Sequence, residues 1–299
     1  MSEAAAKPAF RCGHVAIVGR PNVGKSTLLN HLVGERISIT SKKAQTTRHR
    51  VNGILTDNEA QFIFVDTPGF QTKHRSRLND RMNRSVTQSL GDVDAVVVVI
   101  EAGRTTDADR AVVALLPPDA KVVAALNKID QLKDRDTLLP QMAEIASLFP
   151  FAALVPVSAE KDRALDELRD VIRDLLPERA AMYADDEVTD RDERFLAAEF
   201  IREKIFRLLG EEVPYATTVA IERFEQEGEL RRIHATVYVD RDNQKAIVLG
   251  EGGMQMKEIA TKARADMERL FGGPVFLEVW VRVKRGWADN ETLLKRFGY

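Results

Sequence analysis

The segment 19–26, Gly-Arg-Pro-Asn-Val-Gly-Lys-Ser, restricts the possible folds more than any other part of this sequence. It fits the pattern G-x-x-x-x-G-K-[ST] and stands between the apolar run Val15–Val18 and a stretch, 27–32, with the apolar spacing of a helix. In that setting the glycines let backbone amides turn toward one centre, and the start of the helix adds partial positive charge. The pattern therefore predicts a strand, a phosphate-binding loop and a helix in succession.

The side chains of this loop have distinct expected roles. Lys25 is expected to reach the β and γ phosphates of a nucleoside triphosphate, and the Ser26 hydroxyl to coordinate Mg²⁺. The predicted phosphate contacts are Gly19, Asn22, Val23, Gly24, Lys25, Ser26 and Thr27.

The region from His14 to Pro177 alternates short β-branched runs with amphipathic helical stretches, which is typical of an α/β fold with a mostly parallel sheet. The short turn 57–60 joins two neighbouring strands, so one antiparallel pair is expected. The predicted strands are Val15–Val18, Val51–Thr56, Gln61–Asp66, Ala95–Ile100, Val122–Leu126 and Leu154–Val157; helical apolar stripes run over 78–90, 138–149 and 165–175.

The tetrapeptide Asn127-Lys128-Ile129-Asp130 follows a predicted strand and indicates guanine rather than adenine. Asp130 can accept hydrogen bonds from the two donors of the guanine edge, whereas adenine would leave a buried carboxylate without donors, a difference worth roughly 10⁴ in selectivity. The Lys128 stem can cover one face of the base, and Asn127 can brace the loop. Ser158-Ala159-Glu160 also follows a strand and is expected to contact the base through backbone amides, although the same tripeptide is typical of a helix cap.

The segment Asp66-Thr67-Pro68-Gly69 has the expected features of a hydrolysis switch. Asp66 is placed to hold Mg²⁺ through water, and the Gly69 amide can reach the γ phosphate. The polar segment 38–50 contains Thr46 and Thr47, of which one should cap Mg²⁺ when GTP is bound; Thr47 is favoured. The predicted metal ligands are Ser26, Thr47 and Asp66, and the predicted catalytic set is Asn22, Lys25, Thr47, Asp66 and Gly69.

Phe70 follows Gly69 where many GTPases carry a glutamine that orients the attacking water. A phenylalanine cannot do this, so hydrolysis needs backbone groups, another residue, an ion or a partner. Asn22 matches the asparagine of GTPases that use K⁺ as a built-in positive charge, which suggests a K⁺ site. Unaided turnover should be slow, on the order of 10⁻³ s⁻¹ or below.

A second region follows the acidic segment 178–188, which is predicted to be a linker. Thr189 is expected to cap a helix that runs to Gly210, and strands are expected at Arg232–Asp240, Lys245–Leu249 and Val275–Lys284. The predicted boundaries are 1–13 for an N-terminal extension, 14–177 and 189–299 for two domains, and 178–188 for the linker.

The G-x-x-G pattern at 250–253 lies before a predicted helix, 255–271, and resembles the clamp with which KH domains hold about four nucleotides of RNA. The helix keeps its charged side chains largely off its apolar stripe, as an ordinary solvated face would. The predicted RNA contacts are Gly250, Glu251, Gly252, Gly253, Lys257, Arg282, Lys284 and Arg285.

The composition restricts partners and location. Across 299 residues the net charge is −2, so any RNA or lipid contact must come from a local patch. The single cysteine, Cys12, excludes an internal disulfide and is expected to be a packing residue. The first residues lack the apolar core of a secretory signal, and no apolar run approaches the ~20 residues of a membrane span, so a soluble protein is expected, with peripheral membrane contact left open. The single cysteine suits the reducing cytoplasm, and a monomer is expected.

Taken in order, these motifs resemble the Era family of bacterial GTPases from about Val15 to Tyr299. The resemblance is carried by G-R-P-N-V-G-K-S-T-L-L-N, I-T-S-K-K-A-Q-T-T-R-H-R, V-D-T-P-G, N-K-I-D, R-F-L-A-A-E-F-I-R-E-K, V-P-Y-A-T-T-V and L-E-V-W-V-R-V-K-R-G-W-A-D. It implies a P-loop GTPase domain followed by a type II KH domain, with GTP or GDP and Mg²⁺ as ligands. It further implies binding near the 3′ end of 16S ribosomal RNA, a role in 30S subunit maturation, and peripheral association with the inner face of the membrane.

One departure from the family pattern is Glu251 in the variable pair of the G-x-x-G clamp, because a carboxylate repels the RNA backbone. Lys257 and the cluster Arg282, Lys284 and Arg285 could compensate. Trp280 shares a strand face with Arg282 and could face RNA, although Trp280 and Trp287 could equally be packing residues.

Other functions that fit the phosphate loop are distinguished by specific features. A GTPase acting mainly at the membrane or in cell-cycle control would be consistent with weak RNA binding caused by Glu251. A P-loop kinase or ATPase is disfavoured by Asp130, and a membrane-remodelling GTPase by the lack of a long amphipathic apolar segment. A tRNA-modifying GTPase is disfavoured because no folate-binding or cysteine-based appendage is evident.

Overall fold

The computed structural model describes residues 9–41, 43, 46–70, 76–210 and 212–299. They form two compact units. The first contains the described residues of 9–37, 50–70 and 85–190, and the second contains those of 38–49, 76–84 and 191–299. Two short segments inside the predicted first domain, 14–177, therefore cluster with the carboxy-terminal part of the chain. Residues 1–8 of the predicted N-terminal extension lie outside the described residues.

The first unit contains a six-stranded sheet in the order β2-β3-β1-β4-β5-β6. β2 pairs with β3 in the antiparallel direction, and every other described pairing is parallel, which confirms the predicted mixed, mostly parallel sheet. The strands are β1 (Arg11–Val18), β2 (Val51–Thr56), β3 (Ala60–Asp66), β4 (Ala95–Glu101), β5 (Val122–Asn127) and β6 (Ala153–Pro156).

Helices cover this sheet because its inner strands are apolar on both faces. One apolar core joins β4 and β5 to buried residues of the helices α2, α3 and α4, and α1 contacts β1, β2 and β3. The sequence patterns did not predict α3, which Thr106 begins through a capping box with Asp109. The helices are α1 (Lys25–Val33), α2 (Arg77–Gly91), α3 (Asp107–Val113), α4 (Leu138–Ala146) and α5 (Leu165–Leu175).

The segment predicted as a linker, 178–188, is bound to the first unit. Buried Gln61 on β3 accepts hydrogen bonds from the backbone amides of Met182 (2.7 Å) and Tyr183 (3.0 Å) and donates to the Tyr183 carbonyl (2.9 Å). The Ile54 amide of β2 donates to the carbonyl of Val188 at 2.9 Å. Acidic composition indicated an irregular segment, but only tertiary contacts show where it is held.

Cys12 is fully buried, and this burial raises the pKa of its thiol.

The predicted helix cap at Thr189 is wrong. Thr189 pairs with Gly53, and its hydroxyl donates to the carbonyl of Asn52 at 2.7 Å. Asp192 caps α6 (Glu193–Leu208) instead, accepting a hydrogen bond from the Phe195 amide at 2.7 Å. Both residues are good caps by type, so the pairing of Thr189 with β2 decides between them.

The second unit contains a three-stranded sheet in the order β7-β8-β9, with β7 antiparallel and β9 parallel to β8. One face of the sheet packs with α6 and α8 in an apolar core. The elements after α6 are β7 (Thr217–Glu227), β8 (Leu230–Val239), α7 (Asp242–Leu249), α8 (Met254–Phe271), β9 (Val275–Val283) and α9 (Glu291–Arg296).

The predicted strand at Lys245–Leu249 is wrong, because these residues belong to helix α7. The Gln244 side chain accepts hydrogen bonds from the Asp240 and Arg241 amides, both at 3.0 Å, and so fixes the helix start. Val248 is buried whereas Ile247 is half exposed, so only one side of this short apolar run packs against the core. A run of four or five apolar residues is ambiguous between helix and strand by periodicity alone.

The segment 38–49 is fastened within the second unit by two cations. Lys43 donates to the carbonyls at the end of α6, including that of Phe206 at 2.8 Å. The partial negative charge at the carboxyl end of a helix favours a cation in this position. The guanidinium of buried Arg48 lies over the rings of Phe206 and Trp287. It donates to the carbonyls of Pro214 (3.1 Å), Tyr215 (3.1 Å) and Thr217 (2.7 Å).

Candidate active site

The phosphate loop connects β1 to α1 at the carboxyl end of the parallel strands. Asn22 and Gly24 adopt left-handed backbone conformations, with φ of 66° and 98°. A Cβ at position 24 would lie 2.3 Å from Nδ2 of Asn127, so the close approach of a second loop requires glycine there. The loop amides can surround an anion at the start of α1.

Lys25 is buried at the first position of α1, and its Nζ donates to the carbonyls of Gly19 and Arg20, both at 3.0 Å. Burial lowers the pKa of Lys25 to about 8, and the Asp66 carboxylate opposes this shift. A lysine in this state gains from an incoming polyanion, because phosphate oxygens would replace the neutral carbonyls as its partners.

A donor set suited to a hard cation stands next to Lys25. The Ser26 hydroxyl donates to Oδ2 of Asp66 at 2.7 Å, and Asp66 is fully buried at the end of β3. Hydroxyl and carboxylate oxygens are ligands that Mg²⁺ accepts when phosphates and waters complete its shell, so these residues fit the ion. The Thr67 hydroxyl donates to the Ile17 carbonyl at 2.9 Å and fixes the turn after β3.

Gly69 lies against the phosphate loop. A Cβ at this position would come within 2.9 Å of the Cα and N atoms of Pro21, so a larger residue would displace backbone. Phe70 is partly buried and packs against the apolar core of the first unit. The structure therefore brings the predicted residues Lys25, Ser26, Asp66 and Gly69 around one loop.

The predicted base-reading residues join this loop through Asn127. Its Nδ2 donates to the Val23 carbonyl at 2.9 Å, and its Oδ1 accepts from the Ala159 amide at 2.9 Å. The Ser158 hydroxyl donates to Oδ1 of Asp130 at 2.5 Å. The segment at 158 therefore orients the carboxylate that the segment at 130 carries. Glu160 is exposed beside them.

Lys128 connects the same two loops. Its backbone is left-handed, with φ of 69°, and its Nζ donates to the Asn22 carbonyl at 2.7 Å. The extended stem of Lys128 therefore lies where a planar base between the loops can pack against it.

Thr47, the preferred threonine of segment 38–49, belongs to the second unit, where it is buried. The Thr46 hydroxyl donates to the carbonyl of Lys43 at 2.9 Å. The geometry of this segment is thus set by the second unit.

The G-x-x-G turn of the second unit joins α7 to α8. Gly250, Gly252 and Gly253 all have left-handed φ values, of 70°, 56° and 81°. Glu251, Gly252 and Lys257 are exposed. Two apolar side chains, Ile247 before the turn and Met254 after it, are exposed.

The other predicted RNA contacts differ from one another in their surroundings. Arg282 is exposed on β9 and Lys284 is exposed just after it, whereas Arg285 donates to a carboxylate oxygen of Asp242 at 3.3 Å. Trp280 is exposed on β9 and Trp287 is buried, with its Nε1 donating to the Ala216 carbonyl at 2.9 Å. The packing role proposed for both tryptophans therefore applies to Trp287.

Two family models match the two units. Residues 14–128 match the model described as a 50S ribosome-binding GTPase, and residues 212–288 match that of the KH domain. GTPase Era of Nitrosomonas eutropha is 58% identical over 290 residues, covering 97% of this chain and 98% of the relative. GTPase Era of Chromobacterium violaceum is 57% identical over 289 residues, with 97% and 98% covered. The chain belongs to the Era family of GTPases.

Solved Era structures agree with this assignment. An Aquifex aeolicus Era variant bound to GDP·AlF4⁻ matches with a TM-score of 0.92 at 39% identity, covering 97% of this chain and 99% of that one. Era in complex with MgGDPNP and nucleotides 1506–1542 of 16S ribosomal RNA matches with the same TM-score, identity and coverage. The chain is therefore a GTP-hydrolysing enzyme with a carboxy-terminal KH domain, as the motifs predicted. Within the described ranges, no helix is both long and apolar enough to cross a membrane.

Sequence reasoning missed a charged network behind the two nucleotide loops. Glu101 at the end of β4 binds Arg20 of the phosphate loop at 2.5 Å and lies 3.5 Å from Nζ of Lys128. Burial alone would raise the pKa of the Glu101 carboxyl, but hydrogen bonds and charges from Arg20 and Lys128 hold it below its ordinary value. Arg20 also pairs with buried Asp109 of α3. The only sequence signal was a carboxylate at a strand end, the edge where α/β sheets bind ligands.

Proposed function

We propose that this Era-family GTPase binds the 3′-terminal region of 16S ribosomal RNA through its KH domain and assists maturation of the 30S subunit. The observation that carries the proposal is the match over 97% of the chain to Era solved with nucleotides 1506–1542 of that RNA. Nucleotide state would control RNA binding, so that hydrolysis releases the RNA or the subunit.

In the proposed nucleotide site, Lys25 holds the β and γ phosphates while the amides of 19–27 surround them. Ser26 and Asp66 would hold Mg²⁺, and a threonine of segment 38–49, Thr47 in preference to Thr46, would be a further ligand in the GTP state. The ion neutralises charge on the phosphates. The Gly69 amide contacts the γ phosphate, and this contact is lost after hydrolysis.

Guanine selection is assigned to Asp130, which accepts two hydrogen bonds from the base. Lys128 covers the base, Asn127 holds both loops, and the backbone of Ser158, Ala159 and Glu160 contacts the base edge. The hydrogen bond between Ser158 and Asp130 supports this assignment because it orients the carboxylate without neutralising it.

The assistance that Phe70 cannot give is assigned to K⁺ held with the help of Asn22. The left-handed backbone of Asn22, fixed through its carbonyl by Lys128, supports this because it gives the side chain a defined starting position. The polar Asn22 side chain is exposed at the mouth of the loop.

RNA binding is assigned to the G-x-x-G turn, residues 250–253, with Lys257 on the following helix. The exposed Ile247 and Met254 support the assignment because unstacked bases can pack on such side chains. Arg282, Lys284 and Arg285 extend the positive surface and offset the exposed Glu251 carboxylate. A cytoplasmic monomer with peripheral contact to the inner membrane face is part of the same proposal.

The test separates the two activities on the purified full-length chain. Lys25→Ala should abolish tight, Mg²⁺-dependent GTP binding, and Gly252→Asp should weaken binding of a labelled RNA with the 3′-terminal sequence of 16S ribosomal RNA while GTP binding persists. Replacing Lys121, an exposed lysine just before β5 that donates to the Leu175 carbonyl at 2.9 Å, with alanine is the matched control for Lys25. Retention of GTP affinity within a few-fold in Lys25→Ala would refute the phosphate assignment. RNA binding no stronger than that of a scrambled RNA would refute the RNA proposal and favour a role mainly at the membrane.

A further inference from the structure

The outer face of the second unit's sheet carries aromatic and basic side chains. Along β9, the odd-numbered residues 275–283 pack into the apolar core, so the even-numbered ones point to the opposite face. Two of these are large and exposed: Phe276 by 42% and Trp280 by 56%. Arg282 follows on the same face, beside Tyr238 of β8, and Lys284 lies just after the end of β9.

Helix α9 turns one end of this face into a pocket. Phe297, just after α9, lies with its ring centroid 4.9 Å from that of Tyr238. The pocket is a half-open depression of about 270 Å³, and besides these two aromatic rings its walls include Arg282, Lys284 and Arg296. We call this space the α9 pocket.

The α9 pocket has three cationic side chains among its described wall residues and no carboxylate. Among the residues that the structure describes, no carboxylate forms an ion pair with Arg282, Lys284 or Arg296. The nearby carboxylate of Glu222 accepts a hydrogen bond from the Tyr238 hydroxyl at 2.9 Å. Other arginines of the unit have carboxylate partners, such as Arg231 with Glu193 and Arg232 with Glu227.

The convergence of three cations favours a polyanionic ligand. Like charges on the walls of one pocket repel one another, and a bound phosphate would attract each of them. Arginine pairs in particular suit phosphate oxygens. Exposed Trp280, two residues before Arg282 on the same face, offers a ring on which a base can stack.

We propose that the α9 pocket binds a backbone phosphate of single-stranded RNA, with Trp280 stacking on a neighbouring base. This proposal rests on the RNA binding proposed above and adds a contact on β9 and α9, separate from the G-x-x-G turn between α7 and α8. The cations of the α9 pocket would offset the negative charge that Glu251 places at the G-x-x-G turn. The RNA segment held by the chain is then longer than the about four nucleotides of one KH clamp.

The test measures fluorescence anisotropy of a labelled 3′-terminal 16S RNA on the full-length chain across a salt series. Arg296→Gln and the double variant Arg282→Gln, Arg296→Gln are compared with Lys295→Gln, which removes an equal charge from the neighbouring exposed position of α9. Loss of one phosphate contact should make the slope of log affinity against log salt less negative by about 0.7, with affinity falling about tenfold near 0.1 M salt in the double variant. Trp280→Leu should weaken binding by about 5- to 150-fold.

The outcomes distinguish this proposal from the broader one. If wild type binds the RNA and Gly252→Asp abolishes binding, but Arg296→Gln behaves as Lys295→Gln, the α9 pocket is an ordinary solvated surface and only this proposal fails. If wild type does not bind the RNA, the proposed function itself fails. Vesicles of phosphatidylcholine with phosphatidylserine form a parallel arm. Loss of vesicle binding in Arg296→Gln with unchanged RNA binding would assign the pocket to lipid headgroups and overturn the RNA proposal. An unchanged thermal unfolding midpoint shows that the variants are folded.

Discussion

The lowered pKa of Lys25 predicts that guanine nucleotide binding takes up a proton. In the nucleotide-free protein burial places this pKa at about 8, against an ordinary 10.5. Phosphate oxygens favour the charged ammonium, so the bound state keeps Lys25 protonated well above pH 8. The apparent association constant should therefore follow the protonated fraction of the free protein and decrease as the pH rises.

The size of the effect follows from that pKa. The protonated fraction falls from about 0.76 at pH 7.5 to about 0.24 at pH 8.5, so affinity for GDP should fall about threefold, or about 0.7 kcal/mol. Over the same interval, proton uptake on binding should rise from about 0.24 to about 0.76. Phosphate groups with a last pKa near 6 are already ionised in this range and contribute little.

Calorimetric titration with GDP and Mg²⁺ in two buffers of different ionisation enthalpy measures the uptake directly. Lys25→Arg is the matched variant, because a guanidinium does not deprotonate in this range and any affinity it retains should be independent of pH. Affinity that stays constant from pH 7.5 to 8.5, with proton uptake below about 0.1 at the upper limit, would refute the reasoning. The Lys25 ammonium of the nucleotide-free protein would then be bound by water, and not by the carbonyls of Gly19 and Arg20.

Asp130→Asn should lower GTP affinity by at least about tenfold and improve binding of xanthosine triphosphate, because the amide presents a donor where guanine presents its own; unchanged selectivity in competition assays would contradict the base-reading role. Gly69→Ala should slow single-turnover hydrolysis about tenfold with GDP affinity within a few-fold, since a Cβ would meet the Pro21 backbone at 2.9 Å; equal rates would show that the turn yields freely. Replacing K⁺ with Na⁺ should slow hydrolysis in the wild type but not in Asn22→Ala, and equal wild-type rates in the two salts would remove the ion from the proposal. Arg48→Met should cost the second unit about 2–4 kcal/mol in urea unfolding, because three carbonyls lose a charged donor; a change below about 0.5 kcal/mol would mean that water replaces it.

Much of the site was predictable because its chemistry is written in short contiguous patterns. Lys25 and Ser26 follow the loop glycines directly, and Asp66 and Asp130 stand just past apolar runs that could only be buried strands. Since parallel strands present their carboxyl ends at one edge, strand order was not needed to predict that these residues would meet. The mixed sheet was predictable for the same reason, because a four-residue turn forces one antiparallel pair.

The errors occurred where local signals were balanced. Thr189 and Asp192 are equally good caps, and the pairing of Thr189 with Gly53 settled which one begins α6. The run at 245–249 fits either a helix or a strand, and the hydrogen bonds of the Gln244 side chain to the Asp240 and Arg241 amides start a helix there. In such cases the difference in local free energy is smaller than a single tertiary hydrogen bond.

By itself, the sequence determined the kind of fold, the phosphate loop and the carboxylate expected to read the base, because backbone conformation and hydrogen-bonding capacity are properties of neighbouring residues. Three features were decided only by the tertiary structure. Glu101 forms ion pairs with both Arg20 and Lys128, and Arg48 donates to carbonyls of 214–217. Helix α9 forms one wall of a basic pocket beside β9. These contacts join residues far apart in the chain. Their energies depend on distance and burial, which no local pattern contains.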